Sequence, residues 1–106
     1  MKEWNGENIK QYILEKGDLC LYLYTPLCGT CQVASRMLMV VEEMLPDVQM
    51  AKSNANYIEG IAVDYKVESV PCLLLFKRGA LMEKIYAFQS VPYLLGTIRD
   101  SINKAD

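Results

Sequence analysis

The chain has 106 residues, 52% hydrophobic and 23% charged, with a net charge of -2 and a pI near 5.1, which describes one ordinary globular domain able to bury its own core. Its basic residues are scattered, with only Lys77 and Arg78 adjacent, so composition argues against a nucleic-acid or anionic-membrane partner. There is no histidine, which excludes Ser-His and Cys-His hydrolases, mixed Cys/His zinc sites and histidine-ligated haem.

The opening Met1-Lys2-Glu3-Trp4 does not read as a secretory leader, and no apolar run approaches the ~20 residues that span a bilayer. The cytoplasm is therefore the expected compartment. No repeat, low-complexity tract or linker interrupts residues 1–106, so a single domain is expected. Asn5 to about Lys16 reads as an amphipathic helix, with Asn5 as N-cap, Ile9, Tyr12 and Ile13 on one face, and Gly17 to end it. Leu19 to Tyr24 is apolar throughout, as in a central strand covered on both sides. A helix from about Cys31 to Leu45 has Ala34, Met37, Leu38, Val41, Met44 and Leu45 on its apolar face and Met39 on its polar side, and Pro46 stops it. Asp47 to Lys52 is a second strand, Ser53 to Asn56 a loop, and Asn56 to Tyr65 a short helix weakened by Gly60. Cys72 to Phe76 and Leu81 to Tyr86, around Lys77-Arg78-Gly79, predict an antiparallel hairpin. Ser90 caps a last helix to about Asn103, with Pro92 tolerated in its first turn. Parallel crossovers followed by a hairpin imply an α/β fold: a central mixed sheet flanked by helices on both faces.

Thr25-Pro26-Leu27-Cys28-Gly29-Thr30-Cys31 joins the first strand to the long helix. A helix start carries unpaired N–H groups and the positive end of the macrodipole. A thiolate there is stabilised and becomes a nucleophile near neutral pH. The second thiol lies one turn on, within reach of a disulfide. In a reducing compartment, four cysteines point to redox or metal chemistry rather than stapling. Three readings compete: dithiol–disulfide exchange, a pair of small buried hydrophobes, and a zinc site. Zinc without histidine needs Cys20, Cys28, Cys31 and Cys72 together, and Cys20 is expected at the far end of its strand. Exchange is the preferred reading.

Tyr24-Thr25-Pro26-Leu27-Cys28-Gly29-Thr30-Cys31 resembles the redox loop of thioredoxins, and Val70-Pro71 leading Cys72 to Gly79 resembles the proline-led strand and turn that face it. The resemblance covers nearly the whole chain and implies a thioredoxin-like fold. It implies that Cys28 attacks a substrate disulfide and Cys31 resolves the mixed disulfide. It also implies that the Val70–Pro71 bond is cis, with the Val70 backbone pairing an extended substrate segment. Leu27, Gly29, Thr30, Val70, Pro71 and Ala87 are then the candidate substrate contacts. No bound cofactor is implied beyond the Cys28–Cys31 disulfide itself. Its recycling falls to an external reductase of the flavin- and NADPH-dependent, thioredoxin-reductase-like kind. Disulfide-containing proteins are the implied substrates of a monomer; a thioredoxin-fold binding module with little or no turnover is the alternative.

The departures concern partners and potential. Leu27 replaces an aromatic contact, Thr30 stands for a proline and favours the dithiol form, Arg36 stands for a kinking proline, and Ala87 narrows the groove where the family has glycine. Tyr22 occupies the place of a buried carboxylate that assists the resolving thiol, while Lys52 keeps a lysine's place. A neutral tyrosine, with a reference pKa near ~10, is a poor acceptor at neutral pH, so resolution by Cys31 is expected to limit turnover. Cys72 begins the strand facing the loop. It reads either as a buried hydrophobe or as a third thiol that exchanges with Cys28.

Overall fold

The computed structural model describes residues 1–103. Its elements run β1 (Lys2–Glu3), α1 (Gly6–Leu14), β2 (Leu19–Tyr24), α2 (Gly29–Met44), β3 (Met50–Asn54), α3 (Glu59–Asp64), β4 (Cys72–Lys77), β5 (Ala80–Ile85) and α4 (Val91–Asn103), with a 3₁₀ turn at Ala55–Tyr57. The sheet order is β1-β3-β2-β4-β5. β1 and β2 pair parallel with β3, while β4 pairs antiparallel with β2 and β5.

Alternation along the central strands builds two cores. Cys20 and Tyr22 of β2 and Leu73 and Leu75 of β4 pack with Ala34, Leu38 and Val41 of α2 and Leu94 and Ile98 of α4. Leu19, Leu21 and Leu23, with Cys72, Leu74 and Phe76, face the other way onto Ile9 of α1, Ile58 just before α3 and Ile61 within it. Both faces of β2 and β4 are therefore covered, and each strand is buried at every position but its last.

Local chemistry sets the ends. Asn5 caps α1 by a reciprocal capping box with Asn8. Lys16 takes a positive φ of 60° and Gly17 N–H reaches back to the Tyr12 carbonyl, closing that helix earlier than Lys16. The β4–β5 turn needs Gly79, whose φ is +81° and where a Cβ would lie 2.5 Å from the Ile13 carbonyl oxygen.

Several expectations are corrected. β1 has no counterpart in the sequence reading; it exists because Lys2 and Glu3 add to the edge of β3 opposite Ala51 and Lys52. β3 begins at Met50 rather than Asp47, because Val48 N–H closes a turn onto Leu45, and it runs on to Asn54 opposite Tyr24. The short helix shrinks to Glu59–Asp64, because Asn54 caps the preceding 3₁₀ turn through Asn56 N–H. Met44, assigned to the apolar face of α2, is 50% exposed as the last residue of that helix. Met39 is exposed as its polar-side position implies.

Candidate active site

β2 delivers the loop at the middle of the sheet, and α2 starts there. Cys28 is the N-cap of α2, in extended conformation, and Cys31 falls in the first turn. The two are joined as a disulfide with Cα atoms 5.2 Å apart. Cys28 Sγ accepts the Cys31 backbone N–H at 3.1 Å and lies 3.3 Å from Thr30 Oγ1. A donor aimed at that sulfur favours its anionic form once the disulfide is opened. Cys31 is buried at 3% exposure, whereas Cys28 is half-buried at the protein surface. The two sulfurs are thus chemically unequal.

The Val70–Pro71 peptide bond is cis, and the Val70 carbonyl oxygen stands 4.0 Å from Cys28 Sγ. Pro71 and Thr30, with Val33, Met37, Tyr86 and Phe88, line an apolar groove of about 390 Å³. Leu27 is fully exposed in the loop before Cys28 and does not line the groove, and Gly29 is exposed at the start of α2. Ala87 is exposed between Tyr86 and Phe88, which line the groove where Ala87 does not. Tyr86, Phe88, Val33 and Met37 were not legible as groove residues. The segment after β5 has no periodicity, and Val33 and Met37 carry only a helix pattern.

Tyr22, 1% exposed, donates its hydroxyl hydrogen to the Cys31 carbonyl at 2.6 Å. Burial pushes its phenol up to about 12, so Tyr22 holds the α2 start rather than accepting a proton at neutral pH. Replacing it with Phe removes a buried hydrogen bond. The expected loss is about 1–2 kcal/mol, read as a lower urea midpoint at unchanged m. Lys52 sits opposite Tyr22 in register and places Nζ 5.8 Å from the Tyr24 ring centroid. Tyr24 in turn donates to Glu3 at 2.6 Å.

The remaining thiols stand apart. Cys72, although next to Pro71, packs into the α1–α3 layer at 0% exposure, away from the layer that holds Cys31. Burial pushes its thiol up to about 11, even with Lys84 and the Tyr86 hydroxyl opposing. Cys20 lies in the other layer, its thiol pushed up to about 12 by burial and then by Asp18. The four cysteines do not converge, and among the described residues no cluster of three His, Cys, Asp or Glu could hold a metal. Nor is any described helix long and apolar enough to cross a membrane.

The family model described as thioredoxin matches residues 1–99. A thioredoxin-like protein of Bacillus subtilis (strain 168), YusE, is 56% identical over 92 residues, 87% of this chain and 87% of that protein. A mutant thioredoxin from Halobacterium salinarum superposes with a TM-score of 0.84 at 22% identity, over 99% of this chain and 93% of that one, a likeness of fold. Oxidised mitochondrial thioredoxin 3 from Saccharomyces cerevisiae superposes at 0.81 with 25% identity, over 94% of each chain.

Proposed function

The chain belongs to the thioredoxin family, and from that premise we propose that it reduces protein disulfides in the cytoplasm, with Cys28 attacking and Cys31 resolving. Family and thiol pair together make it a thiol–disulfide oxidoreductase. The observation that carries the finer reading is the inequality of the two sulfurs. Cys28 caps α2 at the surface and takes a backbone N–H, while Cys31 is buried behind it.

The Cys28 thiolate attacks one sulfur of the substrate disulfide, forming a mixed disulfide and expelling the first substrate thiolate. Cys31 then loses its proton, attacks Cys28 Sγ and expels the second. Two electrons leave the protein, and the substrate takes up two protons. The Val70 carbonyl beside Cys28 suits the backbone of an extended segment, and the apolar groove suits its side chains. The resulting disulfide needs an external two-electron donor; a flavin- and NADPH-dependent reductase is the proposed class. The protein acts as a monomeric domain spanning residues 1–106.

Insulin reduction with a small dithiol as electron source tests this. Precipitation should run well ahead of the dithiol alone and fall to that background in Cys28→Ala. A wild-type rate at background would overturn the reductase reading in favour of a binding module.

A further inference from the structure

The redox pair has a second side. Opposite the apolar groove, a cleft of about 340 Å³ has Cys28 and Cys31 themselves in its wall, a volume at the low end of the range for small-molecule sites. Arg36 and Lys52 also line it, with Gln32 and Ser35 as further polar groups. No carboxylate does. Glu3, which registers beside Lys52, has Oε1 occupied by the Tyr24 hydroxyl and Oε2 by the Asn54 N–H. The wall of the cleft thus holds two cations and neutral polar groups beside both cysteines. Guanidinium and ammonium groups so placed recognise carboxylates, bidentately for arginine.

We infer that this cleft takes a carboxylate-bearing, low-molecular-weight disulfide, a substrate class distinct from the proteins that suit the apolar side. The inference rests on the dithiol-exchange reading above. The Cys28 thiolate attacks one sulfur of R–S–S–R, forming Cys28–S–S–R and releasing RS⁻. Cys31 gives up its proton, attacks Cys28 Sγ, forms the internal disulfide and releases the second RS⁻. Both protons end on the released thiolates, so one protein dithiol yields two R–SH. Arg36 and Lys52 hold the carboxylates of R while its sulfur meets Cys28.

The test mixes reduced protein with three disulfides: oxidised glutathione, which carries carboxylates; cystamine, which carries ammonium groups; and neutral bis(2-hydroxyethyl) disulfide. Dithiol loss is followed by quenched flow, alkylation and mass spectrometry. The rate with oxidised glutathione should saturate, and S-methylglutathione, which has no disulfide to exchange, should inhibit it competitively. In Arg36→Gln/Lys52→Gln, the rate with oxidised glutathione relative to the neutral disulfide should fall about tenfold or more, since loss of even one of the two charge-assisted hydrogen bonds accounts for about that factor. The rate with cystamine relative to the same neutral reference should stay level or rise. The neutral disulfide, measured on the same variant, corrects for any change in folding or thiol reactivity. A ratio within twofold of wild type overturns the cleft assignment, and continued oxidation by the neutral disulfide then leaves dithiol exchange standing. Failure of all three disulfides to oxidise the wild-type pair overturns both readings.

Discussion

Cys31→Ser should lower turnover with a protein disulfide by about 10³-fold or more and leave the substrate attached to Cys28. The size follows from proximity. Cys31 sits one helical turn from Cys28, with Cα atoms 5.2 Å apart, and well-oriented intramolecular groups act at effective molarities of about 10⁵–10⁸ M. A millimolar external thiol replaces that poorly. The first attack needs only Cys28, so the mixed disulfide still forms and accumulates. Non-reducing gels after incubation with insulin should show the adduct, and peptide mapping should place it on Cys28. The reciprocal variant, Cys28→Ser, should form none. Retained turnover in Cys31→Ser would mean that the second sulfur resolves nothing.

Alkaline pH should weaken the fold far more than its thiol content alone suggests. Cys20 and Cys72 hold their protons to about 12 and about 11 in the folded protein against an ordinary value of 9.0. Both thiols are neutral when protonated, so the folded state binds more protons than the unfolded one above the unfolded value. Stability is then full below about pH 9 and falls as pH rises, at about 1.4 kcal/mol per group per pH unit until each folded pKa is reached. Between pH 7 and pH 10.5 the two together amount to about 4 kcal/mol, a large part of the stability of a small domain. Urea titrations of Cys28→Ser/Cys31→Ser under a phosphine reductant, which prevents thiol exchange, should show the loss. Cys20→Ala and Cys72→Ala, each added to that background, should flatten the alkaline limb by its own share. A pH-independent midpoint to pH 10.5 would mean that these thiols ionise in place.

The elements that burial alone specifies were legible in the sequence. β2 runs Leu19–Tyr24 as read, because a strand covered on both faces is apolar without a break. Asn5 was legible as a cap because the side chain itself makes the structure. What depends on partners was not legible. β1 is two exposed charged residues whose strand character comes wholly from β3. β3 extends to Asn54 because β2 offers Tyr24 opposite it.

The site divides in the same way. The pairing of Cys28 with Cys31 was legible because it needs only a local turn and a helix start. The position of Cys72 beside Pro71 suggested nearness to Cys28, but sheet alternation sends its side chain into the other layer. Tyr22 was expected only as a poor proton acceptor, and its bond to the Cys31 carbonyl was not legible. That contact depends on how α2 sits over β2. Arg36 and Lys52 lie far apart in the sequence, and only the crossover from α2 to β3 brings them to one cleft.

Cys28, at the capped start of α2, is the reactive thiolate proposed for this chain. The direct measurement is the pH dependence of iodoacetamide alkylation in freshly reduced protein, read site by site by mass spectrometry with N-acetylcysteine in the same tube. Cys28 should be alkylated first, with a midpoint below that of N-acetylcysteine, while Cys31, Cys20 and Cys72 lag behind. Alkylation of Cys31 ahead of Cys28, or a Cys28 midpoint at or above the free thiol's, would contradict it.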